Sequence, residues 1–516
     1  MESYLYGAAV QGIQSFIFQT NKLKEIVGAS ELVEEICTTK FASLICAQEL
    51  DYQKAKEKLS NDNNAILFAA GNIKYIFHSR EECERIVRIF PKEISQFAPG
   101  VTVSQAVVNM NENDFEHAVT LLEKRLRVQR NIPMQSQTIG LMGILRSRQT
   151  GLPVVSTIEG ELSDAARIAK LMKVKHVNDE IEVKDKKTTL NLCKKTFGID
   201  KFSPRNIAFN VEDLTEHNDW IAIIHADGNG LGQIVQKVGH NADEFKQFSL
   251  NLDMATTQAA ITTYKCISEE YHITEDDIIP IRPIVLGGDD LTVICRANLA
   301  LEYTKIFIEE FEKETKEKLG SLISKHNIFT GDVTDCLTAC AGIAYIKSSY
   351  PFYYGYELAE TLCRSAKKDA KTNIKNGELP KSCLMFHKVQ DSFTEDWKAI
   401  CERELMPQKE LSFEFGPYYI NEKKDATKWL VSDLINKAKE LEGEEGNAVK
   451  SHLRNWISLL HDNEDMANQK IARLLSMTPM KTYVEKVTKW QERDNKKFCP
   501  VYDILTIHTI NNQKTK

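Results

Sequence analysis

Short apolar runs that end at glycine or acidic residues recur along the chain and predict strands joined by tight turns. Residues 282–286 and 291–295 are two such runs, rich in β-branched residues, and the sequence GGDD at 287–290 separates them. Apolar runs joined by a glycine pair are typical of a β-hairpin. The pattern places Asp289 and Asp290 at the hairpin tip. On its own, an acidic pair at a turn is more often a solvated turn than a binding site.

A second element adds a third acid. The apolar run 221–226 leads directly into Asp227 and then into the glycine-rich segment 228–232. A helix is predicted only from about residue 241 to 270, so the glycine segment is expected to form an open loop over a nucleotide. Three carboxylates can then converge, which suits Mg²⁺ because this ion prefers a few carboxylates together with substrate phosphates.

Other readings of the glycine segment fail on spacing. A calcium loop starting at Asp227 would place Leu231 and Val238 at ligand positions, and neither has a usable oxygen. A dinucleotide fingerprint would need a small residue at position 233, which is Gln, and the chain contains no phosphate-binding GxxxxGK[ST] motif. The pattern therefore favours a magnesium–nucleotide site.

These motifs, in this order, resemble the palm domain of the large polymerase-cyclase subunit of type III CRISPR effector complexes, a relative of diguanylate cyclase and polymerase palms. The resemblance implies that Asp227, Asp289 and Asp290, together with the backbone of Gly228, hold two Mg²⁺ or Mn²⁺ ions. Residues 338–345 resemble the family's last palm strand, and residues 357–367 resemble its A-x-x-L-x-x-A-K helix. This implies that Lys367 faces the triphosphate.

The start of the chain resembles the first palm of the same family, through residues 6–17 and 27–32. The chain is therefore expected to contain two ferredoxin-like palms, an α+β fold. The elements predicted for the first palm are a strand and turn at 5–12, hairpin strands at 65–69 and 73–77, a helix at 81–90, a strand at 101–108 and a helix at 113–129. The first palm lacks the acids of the second. Residues 10–12 are expected at the position of Asp227, and Ala-Ala-Gly-Asn at 69–72 is expected at the position of GGDD. We expect the first palm to supply half of a nucleotide cleft.

Several residues are expected to contact nucleotide. Small or absent side chains let the backbone come close to phosphates, and the positions concerned are Gly228, Asn229, Gly230, Gly287 and Gly288. Ser30, placed in a Gly28-Ala29-Ser30 turn, and Ser249, placed near a helix start, correspond to serines that contact nucleotides between the palms in the resembled family. From the sequence alone, each is as well explained as an N-cap or a packing residue.

The expected domains are a first palm at 1–130, a connector at 131–205, a second palm at 206–390 and a C-terminal helical domain at 391–516. No secretion signal or membrane segment is expected, and the twelve cysteines are scattered, which favours a cytoplasmic protein with buried thiols. The net charge of −7 disfavours nucleic-acid binding over the whole surface, so RNA contact should be regional. Within the connector a helix is expected over residues 159–174, and the charged run 178–187 is expected to be solvated surface.

Two features of the resembled family are not expected here. The segment 138–150 has no cysteine, although Thr-Gly-Leu-Pro at 150–153 resembles the family's T-G-x-P stretch, so we expect no structural zinc. No counterpart of the family's HD nuclease domain is expected before the first palm. The His461-Asp462 pair is predicted to lie in an interhelical loop at 461–465, so DNase activity is not expected.

The sequence thus predicts a nucleotidyltransferase that makes a cyclic or linear oligonucleotide messenger. The resemblance implies ATP as the substrate, and type III CRISPR effector subunits with target RNA, or a second copy of the chain, as partners; no membrane partner is expected. Two alternatives remain open: a diguanylate-cyclase-like enzyme that uses GTP, and a non-catalytic scaffold that binds CRISPR RNA complexes. Three mutually repelling acids argue against the scaffold.

Overall fold

Two sheets, each with four antiparallel strands in the same order, organise the protein. The computed structural model describes residues 3–69, 71–110, 115–132, 142–179, 190–198, 206–215, 220–274, 277–331, 333–391, 396–493 and 495–511. All structural statements below refer to these residues. None of their helices is long and apolar enough to span a membrane.

The first sheet lies near the N-terminus. Its strands are β1 (Ser3–Gln11), β2 (Ala65–Ala69), β3 (Asn72–Phe77) and β4 (Thr102–Met110). The accompanying helices are α1 (Ile13–Ile17), α2 (Leu23–Glu35), α3 (Phe41–Cys46), α4 (Tyr52–Asn61), α5 (Arg80–Phe97) and α6 (Phe115–Arg130), with a π-helical turn over Ile36–Lys40. The strand order is β2-β3-β1-β4, with α2 and α5 as the helical connections. This is the predicted ferredoxin-like arrangement, and we call β1 to α6 the first palm.

The segment between the two sheets contains a short hairpin, a helix that packs on the first palm and two helices that pack mainly on elements of the second sheet. Its elements are β5 (Val154–Ile158), β6 (Glu161–Asp164), α7 (Ala165–Asp179), α8 (Asn191–Phe197) and α9 (Glu212–Thr215). Helix α7 lies against α2 so closely that a Cβ on Gly28 would stand 2.0 Å from the carbonyl oxygen of Lys170. A buried ion pair of 2.7 Å between Glu25 and Arg167 also joins the two helices. Most of the run 178–187 and part of the segment 138–150 lie outside the described residues.

A helix was expected over residues 159–174, and its first part is wrong. Glu159 and Gly160 both have positive φ, 52° and 77°, and form the turn of the β5–β6 hairpin. The helix begins only at Ala165, because the side chain of Asp164 accepts a hydrogen bond of 3.0 Å from the backbone N–H of Arg167 and caps it.

The second sheet repeats the topology of the first. Its elements are β7 (Trp220–Gly228), α10 (Leu231–Val238), α11 (Ala242–Glu270), β8 (Ile281–Gly287), β9 (Asp290–Arg296), α12 (Ala300–Lys325), β10 (Ala339–Lys347), α13 (Phe352–Lys371) and β11 (Cys383–Lys388). The order β10-β7-β9-β8 matches β4-β1-β3-β2 of the first palm. We call β7 to β11 the second palm. Its central strand β7 is buried on both faces, which explains its unbroken apolar run.

Strand β10 corresponds to the predicted last palm strand, but the sheet continues beyond it. Strand β11 pairs parallel to β10, and a short strand from the C-terminal region pairs with β11. The remaining elements are α14 (Trp397–Ile400), β12 (Leu411–Ser412), β13 (Tyr418–Tyr419), α15 (Val431–Lys439), α16 (Gly443–Asp462), α17 (Glu464–Met477), α18 (Lys481–Val487), β14 (Gln491–Arg493), β15 (Lys496–Phe498) and α19 (Val501–Asn511), with a π-helical turn over Cys401–Leu405. The C-terminal region is mainly helical, as predicted, and also contains the small sheet β12-β15-β14. The domain boundaries given above stay predictions.

The loop predicted at 461–465 is wrong. His461 and Asp462 are the last residues of α16, and α17 begins two residues later. The whole junction is Asn463, whose side chain caps α17 by accepting a hydrogen bond of 3.0 Å from the N–H of Met466. A single capping residue is enough to separate two helices.

Candidate active site between two palms

Three carboxylates meet where β7 ends and the β8–β9 hairpin turns. Asp227 pairs with Asp290 across the sheet, and Gly287 pairs with Asp290 in the hairpin. Gly288 and Asp289 therefore form the turn. Each acid offers one carboxylate oxygen within 4.8 Å of the oxygens offered by the other two, and in the described part of the chain this is the one cluster of three such groups that could hold a metal ion.

The electrostatics of this cluster favour a cation. Burial raises the pKa of Asp289 above its usual range, and the negative charges of Asp290 and Asp227 raise it further. Burial and Asp227 likewise raise the pKa of Asp290, against the opposing effect of Lys367. Because the acids of this cluster repel one another in a partly desolvated place, added positive charge stabilises their ionised forms.

Lys367 supplies part of that charge. This residue lies in the last turns of α13, and its Nζ forms an ion pair with the Asp227 carboxylate. Nζ also donates a hydrogen bond of 2.8 Å to the carbonyl oxygen of Gly228. Lys367 thus reaches the acid cluster, where it neutralises Asp227. Its contact with a triphosphate stays a prediction.

The predicted open glycine loop is wrong, because α10 starts directly after Gly230. Gly230 has a φ of 90°, which glycine tolerates best, and it precedes the first residue of the helix. A Cβ on Gly228 would stand 2.8 Å from the Cβ of Asp289, so glycine allows β7 and the hairpin to approach closely. Asn229 is buried, and its amide nitrogen lies 3.2 Å from Oγ1 of Thr338. Its side chain therefore faces β10 and not the acids.

Two polar side chains that sequence reasoning missed hold the hairpin. Thr256 on α11 donates a hydrogen bond to the carbonyl oxygen of Gly288. Lys195 on α8 donates one of 2.9 Å to the carbonyl oxygen of Leu286. Neither residue belongs to a motif, and both are remote from the hairpin in sequence, so no local pattern marks them.

The first palm has a matching but acid-free hairpin. Ala69 pairs with Asn72 as Gly287 pairs with Asp290. In the same register Ala9 pairs with Asn72, so Ala9 occupies the place of Asp227. The expected equivalence of residues 10–12 with Asp227 is wrong by at least one position, since strand register could not be read from a faint repeat.

The two palms face each other through direct contacts. The ring of Phe18 stacks on that of Tyr356 with centroids 4.8 Å apart. The N–H of Phe352 donates a hydrogen bond of 3.1 Å to the side-chain oxygen of Asn21. A cavity of about 110 Å³ lies between the palms, and Asp290 lines it from the second palm.

The two serines lie inside helices, unlike the predicted turn and helix start. Ser30 is in the middle of α2, is 3% exposed, and donates a hydrogen bond of 3.0 Å to the carbonyl oxygen of Val27. It lines the same cavity as Asp290. Ser249, within α11, instead lines a separate space of about 20 Å³ beside Tyr52. The structure therefore brings Ser30, but not Ser249, to the cavity that Asp290 lines.

The strand order and the three converging acids together define a palm-type domain. Residues 220–376 match the family model described as Cas10/Cmr2, second palm domain. A search of curated proteins gave no match. The match shows that residues 220–376 are similar to the second palm domain of Cas10/Cmr2 proteins, and the shared fold described next extends over the rest of the chain.

Solved structures share the whole architecture. The Csm1–Csm4 cassette in complex with cA3 has 12% identity and a TM-score of 0.56, over 99% of this chain and 70% of that chain. The same cassette in complex with pppApApA has 14% identity and a TM-score of 0.56, over 99% and 69%. The Csm1–Csm4 subcomplex in the type III-A CRISPR-Csm interference complex has 12% identity and a TM-score of 0.55, over 99% and 70%. At identities this low, the structural matches show a common fold.

Proposed function

We propose that the protein is a metal-dependent nucleotidyltransferase that joins ATP molecules into a cyclic oligonucleotide messenger. The observation that carries this proposal is the cluster of Asp227, Asp289 and Asp290, with Asp290 lining the cavity between the palms. Joining two nucleotides requires one to be held against the other at near-attack distance. A cleft with Asp290 on one wall and, on the other, a first palm that lacks the matching acids suits that task.

The residues present fit two divalent cations. Carboxylates are hard oxygen ligands, and the raised pKa values of Asp289 and Asp290 reflect a local excess of negative charge. The three carboxylates, with the carbonyl oxygen of Gly228, would hold Mg²⁺ or Mn²⁺. When bound, such ions activate an attacking ribose hydroxyl and stabilise the departing pyrophosphate.

The chain's own groups would bind and orient the nucleotides. The Lys367 ammonium group, already at the cluster, would neutralise negative charge on the triphosphate. Gly288 has a φ of 61° and open space where a Cβ would lie, so a phosphate can approach the turn. On the opposite wall, Ser30 would contact the acceptor nucleotide and the first palm would exclude water.

The comparisons support adenine nucleotides and a CRISPR setting. The similar Csm1–Csm4 cassettes were solved with cA3 and with pppApApA, and a similar subcomplex belongs to a type III-A interference complex. We therefore propose effector subunits and target RNA as partners of this chain, and antiviral signalling as its role.

Product analysis tests the proposal. The purified protein is incubated separately with ATP, GTP, CTP and UTP, with Mg²⁺ or Mn²⁺, with and without RNA and effector subunits, and products are identified by mass spectrometry. We expect cyclic oligoadenylates from ATP and none from the Asp289→Asn, Asp290→Asn double variant. A product made only from GTP would indicate a diguanylate-cyclase-like enzyme, and no product under any condition would contradict the proposal.

A further inference from the structure

The hairpin that carries Asp289 and Asp290 lies at the edge of its sheet. Strand β8 is the outermost strand, so among the described strands none pairs with its outer side. The carbonyl oxygen of Leu286, next to the GGDD turn, instead accepts the hydrogen bond of 2.9 Å from Lys195. An edge without a partner strand has freedom to shift, and this contact removes some of it.

Lys195 is itself held by acids from two parts of the chain. Its Nζ lies 2.7 Å from Oδ1 of Asp253 on α11 and 3.8 Å from Oε1 of Glu34 on α2. Lys56 of the first palm lies 3.0 Å from the other oxygen of Asp253. The Lys195 side chain is only 7% exposed. Burial alone would lower the pKa of Lys195, but Asp253 and Glu34 raise it to about 12, so the ammonium group stays charged.

Helix α11 provides the second support of the hairpin. Thr256, one helical turn after Asp253, donates its hydroxyl hydrogen to the carbonyl oxygen of Gly288. One face of α11 therefore supports both carbonyl groups. Thr256 binds that of Gly288 directly, and Asp253 holds Lys195, which binds that of Leu286. The first palm is connected to this face by Lys56.

We propose that Lys195 is a positioning residue that fixes the GGDD hairpin and couples its geometry to docking of the first palm. A change at Lys195 would displace the carboxylates of Asp289 and Asp290 relative to Asp227 without altering any of the three acids. Groups behind the metal ligands commonly change metal affinity by tenfold or more when they are lost. An effect of Lys195 on turnover rests on the function proposed above, whereas its effect on metal binding does not.

The test measures Mn²⁺ binding to the full-length, nucleotide-free protein by titration calorimetry. For Lys195→Met we expect affinity about tenfold weaker than wild type. Lys195→Arg, which keeps the charge and donors, should recover most of the affinity. The matched control is Lys173→Met, because Lys173 forms a similar half-buried pair with Glu35 between α7 and α2 and does not contact the hairpin. Its Mn²⁺ affinity should equal that of wild type.

The outcomes separate this inference from the proposed function. Wild-type Mn²⁺ affinity in folded Lys195→Met, or an equal loss in Lys173→Met, would overturn the positioning role. Should Lys195→Met fail to fold, Lys56→Met leaves Lys195 in place but removes the first palm's charge from Asp253; unchanged Mn²⁺ affinity in that variant would overturn the coupling. If wild type binds Mn²⁺ but no triphosphate is turned over, the proposed function fails while the positioning role stands. If turnover occurs, Lys195→Met should need more metal for half-maximal rate.

Discussion

Replacing both hairpin acids should stabilise the metal-free protein while it removes metal binding. The double variant Asp289→Asn, Asp290→Asn keeps the size of both side chains and removes two charges from a cluster whose oxygens lie within 4.8 Å. Asp227 keeps its ion pair with Lys367 in the variant. The change therefore removes repulsion and leaves the one strong attraction of the cluster in place.

The Coulomb energy sets the size of the effect. Two unit charges 4.8 Å apart repel by about 3.5 kcal/mol at an effective dielectric constant of about 20, and by about 0.9 kcal/mol in water. Partial protonation of the wild-type acids reduces the gain, so we expect about 1–2 kcal/mol. For a domain of this size, each kcal/mol corresponds to roughly 2–4 °C in melting temperature.

The stability gained by the double variant should depend on pH. The folded-state pKa values of Asp289 and Asp290 are raised, so the folded wild-type protein binds more protons than the unfolded chain between the ordinary Asp range and the raised values. Wild-type stability from this site therefore falls as the pH rises through that window. The variant's advantage should be small near pH 5 and largest near pH 8.5.

Thermal unfolding between pH 5 and 8.5, with and without Mn²⁺, measures both effects. Mn²⁺ should raise the melting temperature of wild type and leave the double variant unchanged. Asp277→Asn is the control, and its effect on stability should have the opposite sign, because hydrogen bonds from Thr274 lower the pKa of Asp277. An advantage of the double variant that is absent, or equal at pH 5 and 8.5, would refute the electrostatic reasoning.

Four further variants test other parts of the site. Asp227→Asn should reduce triphosphate turnover steeply and shift its metal requirement to higher concentration; unchanged metal dependence in a rate assay would remove Asp227 from the site. Gly230→Ala, at a φ of 90° and with its Cβ 2.5 Å from Leu379, should cost about 2–3 kcal/mol in urea unfolding, whereas Gly288→Ala, in open space, should cost only about 1–2 kcal/mol; equal costs would contradict the close packing at Gly230. Ser30→Tyr should fill the cavity of about 110 Å³ and block product formation while Mn²⁺ still binds; wild-type product formation by the folded variant would show that the acceptor is held elsewhere.

Local patterns made much of the second palm predictable. The apolar runs of β7, β8 and β9 correspond to buried strands, and the GGDD tetrapeptide occupies the hairpin turn as its composition indicated. The start of α11 was also visible, because Asn241 caps it by accepting hydrogen bonds from the N–H groups of Asp243 and Glu244. Each of these signals lies within a few residues of the feature that it predicts.

Features that depend on distant contacts were not predictable. The partners of Lys195 lie at positions 34, 253 and 286, and no spacing rule connects them. Ser30 was expected in a turn because Gly28 precedes it, yet that glycine serves the close approach of α7 to α2. In both cases tertiary packing determines the role of the residue, so that role cannot be predicted from the neighbouring sequence.

The location of bound metal and nucleotide shows directly whether the three acids form a metal site beside a nucleotide cleft. Crystals of the protein with Mn²⁺ and a non-hydrolysable ATP analogue would show the ions by anomalous scattering. We expect Mn²⁺ bound by Asp227, Asp289 and Asp290, with the nucleotide in the cleft between the two palms. Mn²⁺ and nucleotide bound elsewhere, with these three carboxylates free of metal, would contradict it.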